Sequence, residues 1–121
     1  MSEHDHQVAT VEWFNLQYPK LRGLLFAIPN GGLRNKAVAG KLKAEGVRAG
    51  VSDLFLMVAT KGMHGMWIEM KDSCGKRPSP EQIAFQKDAA AQGYVAVTCY
   101  GVDMAIGAIS EYLHGIEVME T

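Results

Sequence analysis

Two short apolar stretches constrain this chain most. Leu54-Phe55-Leu56-Met57-Val58 follows Gly50-Val51-Ser52-Asp53, and Met66-Trp67-Ile68-Glu69-Met70-Lys71 follows the turn Thr60-Lys61-Gly62-Met63-His64-Gly65. Their lengths and the turn residues around them predict strands over 53–59 and 66–71, paired as a hairpin. Side chains alternate between the faces of a strand. Glu69 and Lys71 therefore point one way, and Ile68 and Met70 point into the opposite layer. Asp53 stands at the mouth of the first strand. Two carboxylates and an ammonium at one sheet edge suit a divalent cation that activates water beside a phosphodiester.

The rest of the chain alternates helix and strand signals. Residues 3–17 predict a helix with Val8, Val11 and Phe14 on one side, stopped by Pro19. Residues 24–28 predict a short buried strand, ended by Pro29-Asn30-Gly31-Gly32. A second helix is expected from a cap at Asn35 to about Glu45, with Val38, Ala39 and Leu42 inward and Gly46 terminating it. Ser79-Pro80-Glu81-Gln82 is laid out as a helix start: Ser79 is the N-cap, Pro80 takes the first helical position and Gln82 closes a capping box. That helix reaches Gln92, before Gly93. Residues 94–100 are β-branched and aromatic and predict a strand. Residues 103–114 predict a last helix burying Ile106, Ile109, Tyr112 and Leu113.

The order α-β-α-β-β-α-β-α predicts an α/β fold with a mixed sheet of about four strands flanked by helices. The crossover from the hairpin to the final strand should be parallel and right-handed.

With 121 residues, the chain is expected to form one domain over 1–121. A composition of 48% apolar and 21% charged residues excludes a disordered polyelectrolyte. No apolar run is long enough for a bilayer, and the polar start Met1-Ser2-Glu3-His4-Asp5-His6 is unlike a signal peptide, so a cytoplasmic location is expected. Cys74 and Cys99 lack paired spacing and are expected as free thiols. The four histidines are scattered, with His4 and His6 expected at the surface. There is no Walker loop and no GxGxxG, which argues against a small enzyme acting on a free nucleotide. The net charge of −1 hides a local bias: residues 20–48 carry seven positive side chains against one acid, a net of +6. Such a segment can neutralise phosphates while the whole molecule stays near neutral.

Gly-Val-Ser-Asp, then Trp-Ile-Glu-Met-Lys, then Ser-Pro-Glu-Gln, resembles the PD-(D/E)XK nuclease superfamily. More closely, the pattern is similar to its VRR-NUC family, including the small stand-alone members from phages and bacteria. The resemblance spans nearly the whole chain, including Ile28-Pro29-Asn30-Gly31-Gly32-x-Arg34 and the ending Gly93-Tyr94. Where the family usually has proline before the aspartate, this chain has Ser52.

The resemblance implies a restriction-endonuclease-like fold and a DNA endonuclease that uses Mg2+ or Mn2+. Asp53 and Glu69 would hold the cation, with the main-chain carbonyl of Met70 alongside. Lys71 would polarise the attacking water or stabilise the pentacovalent phosphate. The family adds an acid on the first helix; both Glu3 and Glu12 qualify here, and the resemblance favours Glu3. Gln82 would contact the phosphate or a metal-bound water while also capping its helix. Asn30 and Arg34, with Lys36, Lys41, Lys43 and Arg48 as a group, are candidate phosphate contacts.

In size and layout, such domains resemble resolvases that cut four-way junctions as two-fold dimers. A homodimer acting on branched DNA in a bacterial or phage-infected cell is therefore expected. Apolar residues on the last helix (Tyr112 and Leu113) and the first (Trp13 and Phe14) are the expected spare surface. The competing expectation is a catalytically silent nucleic-acid-binding module of the same fold, against which the intact Asp53, Glu69 and Lys71 argue.

Overall fold

Ser2 opens the first helix, α1 (Glu3–Gln17), in a computed structural model that describes residues 1–29 and 36–116. The Ser2 hydroxyl accepts from the Asp5 amide at 3.1 Å, and the Asp5 carboxylate accepts from the Ser2 amide at 3.0 Å. This reciprocal box satisfies two of the amides that a helix start leaves open. Tyr18 closes the helix and Pro19 begins a short 3-10 turn.

The buried stripe of α1 is His6, Thr10 and Phe14. This corrects the expected stripe through Val8 and Val11: Val8 is exposed, and Val11 is partly buried against the core. Polar residues can occupy the buried side because each is satisfied there. The Thr10 hydroxyl donates to the His6 carbonyl at 2.8 Å, and Nδ1 of His6 accepts from the Val102 amide at 2.9 Å. His6 is thus a buried link to another helix, not the surface residue expected.

The sheet follows the predicted plan. β1 (Leu25–Ala27), β2 (Leu54–Leu56), β3 (Met66–Lys71) and β4 (Val95–Tyr100) lie side by side in that order. The first two pairings are antiparallel and β3–β4 is parallel. Helices α2 (Lys36–Ala44), α3 (Pro80–Ala91) and α4 (Val102–Leu113) complete the order expected from the sequence.

Alternation divides the sheet into two unlike faces. Leu25, Leu54, Leu56, Met66, Ile68, Met70 and Cys99 are buried with Phe14, Ala105, Ile109 and Leu113 of α1 and α4. On the other face Phe55 and Trp67 stack at 4.3 Å, and Phe85 of α3 meets Trp67 edge-on at 5.0 Å.

Two expectations change with this packing. Phe14, Tyr112 and Leu113 are buried between α1, α4 and the sheet, and Trp13 lies edge-on to Tyr18 at 5.8 Å. Phe14, Tyr112 and Leu113 are therefore used internally and are not the spare surface expected, while Trp13 is half-buried. In α2, Val38 is exposed while Ala39 and Leu42 are only half-buried. Cys74 is exposed and Cys99 buried, both as free thiols. Among the described residues, no helix is long and apolar enough to cross a membrane.

Candidate active site

Asp53 immediately precedes β2, and its placement is fixed from β3. One carboxylate oxygen, Oδ2, accepts from the Met70 amide at 2.7 Å. Glu69 and Lys71 lie on the same face of β3, and Lys71 Nζ stands 3.8 Å from Glu69 Oε2. Both side chains are largely withdrawn from water, at 4% and 14% exposure respectively. Buried charges this close need partners, and α3 supplies one.

That partner is Gln82. Its Nε2 donates to Glu69 Oε2 at 3.1 Å, and its Oε1 accepts from Lys71 Nζ at 3.1 Å. The same Oε1 accepts from the Ser79 amide at 2.8 Å, while the Ser79 hydroxyl accepts from the Gln82 amide at 3.1 Å. The capping box read from Ser-Pro-Glu-Gln is present in full, and one side chain both starts the helix and aligns the acid with the lysine.

A close backbone approach keeps this helix start against the Asp53 segment. Gly50 has φ +86°, and a Cβ there would lie 2.4 Å from the Glu81 carbonyl carbon. Any side chain at Gly50 would push α3 away from Asp53, or the loop away from α3.

Glu3, on the first turn of α1, completes the cluster. Carboxylate oxygens of Glu3, Asp53 and Glu69 lie within 4.8 Å of one another. Glu12 is not in this group, so the geometry selects Glu3 as the first-helix acid beside Asp53 and Glu69. Repulsion and burial are visible in proton affinity. The Glu69 carboxyl is pushed up to about 8, first by burial, then by its hydrogen bond to Asp53 and that group's charge; Lys71 offsets part of this. Glu3 is raised as well, by burial and by Asp53. Three hard oxygen donors whose negative charge is under-compensated fit a divalent cation such as Mg2+ or Mn2+.

Other expected contacts lie elsewhere. Asn30 and Arg34 fall outside the described residues, and of Lys36 only the backbone is described. Lys41 and Lys43 are exposed on α2. Arg48 is engaged: it pairs with Asp88 at 2.7 Å, and its guanidinium lies 5.3 Å from the centre of the Phe85 ring. Met70 contributes its amide to Asp53, and its side chain is buried in the core. The sequence reading missed His6 as a link between α1 and α4, although His6, Thr10 and Phe14 recur at four-residue intervals on one helix face.

No protein-family model matches the sequence. No curated protein matches it either. Among solved structures, the chain is similar to one described as "VRR_NUC domain protein". The TM-score is 0.82 at 29% sequence identity, over 93% of this chain and 88% of that chain.

Proposed function

We propose that this chain, whose nuclease-type fold is similar over nearly its whole length to that of a VRR_NUC domain protein, is a divalent-metal-dependent endonuclease of the VRR-NUC family that hydrolyses phosphodiester bonds in DNA. The observation that carries the reading is the convergence of Glu3, Asp53 and Glu69 on one point, with Lys71 held beside them by Gln82. A silent binding module would have no need of three mutually repelling carboxylates, one of them buried.

Asp53 and Glu69 would hold the cation, with Glu3 and the Met70 carbonyl completing the donor set. When bound, Mg2+ or Mn2+ supplies an acidic water and neutralises charge on the phosphate. Asp53 is anchored through one oxygen by the Met70 amide, and its carboxylate meets those of Glu3 and Glu69 at the centre of the cluster. Glu69 is oriented by Gln82 and accepts no other side-chain amide among the described residues.

Lys71 is poised for the chemical step. Its ammonium donates to Gln82 at 3.1 Å, which leaves N–H bonds for the attacking water or a phosphate oxygen. A fixed cation there stabilises the extra charge of the pentacovalent phosphate. Gln82 keeps the ammonium from collapsing onto Glu69, and so has a positioning role beyond its cap.

The finer reading is a homodimer that cuts branched DNA, such as a four-way junction, in the cytoplasm of a bacterial or phage-infected cell. Symmetric cuts in two strands require two sites related by a dyad. The test is cleavage of an end-labelled four-way junction, and of a linear duplex of the same sequence, with Mg2+ or Mn2+. The natural chain should cut the junction in preference, and Asp53→Ala should not cut at all. Binding without cleavage by the natural chain with either metal would overturn the nuclease reading; equal cleavage of both substrates would overturn the junction preference.

A further inference from the structure

The loop between β3 and α3 carries two cations that the site described above does not use. We propose that Lys76 and Arg77 form a clamp for the DNA phosphate backbone, gripping the strand beside the phosphate being cut. The inference rests on the nuclease reading for its substrate and on separate residues for its grip.

Both side chains are exposed. Among the described residues the ion pairs are Arg48–Asp88 and Lys71–Glu69, so neither Lys76 nor Arg77 is neutralised by an acid. Arg48, by contrast, has its charge committed to Asp88. The grip expected from residues 20–48 is weakened at that end, and free positive charge sits instead next to the acids.

The loop is built, not merely long. The Asp72 carboxylate accepts from the Cys74 amide at 2.9 Å, and the Asp72 carbonyl accepts from the Gly75 amide at 3.0 Å. Asp72 is thereby occupied in shaping the turn. Gly75 lies so close to the lysine that a Cβ there would be 2.8 Å from Lys71 Cβ, so the loop folds back over the Lys71 stem. The Tyr100 hydroxyl then reaches the Lys76 carbonyl at 3.5 Å. Pro78 and the Ser79 cap fix the far end.

Placement follows from the chain. Arg77 is two residues before Ser79, whose amide shares the Gln82 oxygen with Lys71. Two residues span at most about 7 Å of extended chain, so Arg77 cannot be far from the reacting end of Lys71. The local charges give such a grip a use. Three carboxylates against one ammonium repel a polyanion, and Glu81 on the first turn of α3 adds another acid. Lys76 and Arg77, without an acid partner among the described residues, are exposed cations in the loop that joins Lys71 to Gln82, and an Arg–phosphate contact can be bidentate.

The experiment measures binding of a fluorescein-labelled four-way junction and a matched duplex by anisotropy across a salt series. Lys76→Ala/Arg77→Ala should weaken binding at least about tenfold near physiological salt. It should also flatten the slope of log affinity against log salt by about 2, as expected for two lost phosphate contacts. At saturating junction, kcat should stay within about twofold while KM rises, because the reacting groups are untouched. Lys76→Arg/Arg77→Lys should keep the salt slope of the natural chain. An unchanged slope in the alanine variant overturns the clamp, as does an equal loss in the charge-preserving variant. A natural chain that binds and loses about 2 of its salt slope in the alanine variant, but never cuts, leaves the clamp standing and sinks the nuclease; one that does not bind at all sinks both.

Discussion

Strand β3 presents two faces that obey different rules. Met66, Ile68 and Met70 are sealed under α1 and α4, where any well-fitting apolar side chain would serve. Trp67, Glu69 and Lys71, each one residue away, face the α3 side, where a buried carboxylate is held by an amide and a lysine. One face stabilises the fold, and the other holds charge that a folded protein would discard unless a ligand compensated it. Stability and chemistry are thus separable on a single strand, and substitutions on the two sides should fail in different ways.

The largest separation comes from the polar face. Lys71→Ala should lower kcat by about 10²–10³-fold or more, equivalent to about 3–4 kcal/mol of transition-state stabilisation, while the melting temperature barely moves. The measurement pairs single-turnover cleavage with a thermal melt. A large stability loss without a rate loss would place Lys71 on the structural side of the comparison.

The reciprocal test is Ile68→Ala. Ile68 is fully buried, and its truncation leaves a cavity between the sheet and the two helices. A loss of about 2–5 kcal/mol is expected in urea unfolding, with kcat retained well below the lowered melting temperature. A rate loss as deep as that of Lys71→Ala would show that the two faces are coupled.

Proton linkage sharpens the comparison further. Glu69 sits near 8 in the metal-free fold against its ordinary value of 4.5. Between those values the folded state binds more protons than the unfolded state, so metal-free stability should fall as pH rises through that window. Glu69→Gln should lack most of this fall, as read from melts at pH 5 to 9 in EDTA. Cation affinity should rise over the same range, approaching tenfold or about 1.4 kcal/mol per pH unit, and level off above about 8. A flat affinity profile would remove Glu69 from the cation's ligands.

The apolar face was the more legible in sequence. Alternation in Met66–Lys71 reported which residues are buried, and Ser79-Pro80-Glu81-Gln82 located a helix start to the residue. Asp53, Glu69 and Lys71 stand together because strand register is a local rule that two neighbouring strands express directly. The choice between Glu3 and Glu12 was not local. It depends on how α1 rotates over the sheet, and that rotation is set by His6 reaching Val102, ninety-six residues away. For the same reason the stripe through Val8 and Val11 was misread: apolar periodicity is blind to polar groups that bury by bonding to one another. Arg48 gave no sign of Asp88, since an ion pair across forty residues leaves no pattern in either segment.

The smallest expected effect concerns Ser52, at the position where the family usually carries proline. It is buried, at 1% exposure, and its hydroxyl has no hydrogen-bond partner. Unlike Glu69 it has no amide to hold it, and unlike Ile68 it offers no apolar area, so it fits neither face. An unpaired buried hydroxyl costs about 1–3 kcal/mol, and removing one oxygen leaves only a small void. Ser52→Ala should therefore be neutral to stabilising, by up to about 1 kcal/mol or roughly 4 °C in melting temperature, with cleavage unchanged. A drop of similar size would mean that the hydroxyl is hydrogen-bonded through water. If the drop appeared only when Mg2+ was added, that water would belong to the cation beside Asp53, and Ser52 would join the polar side of the comparison.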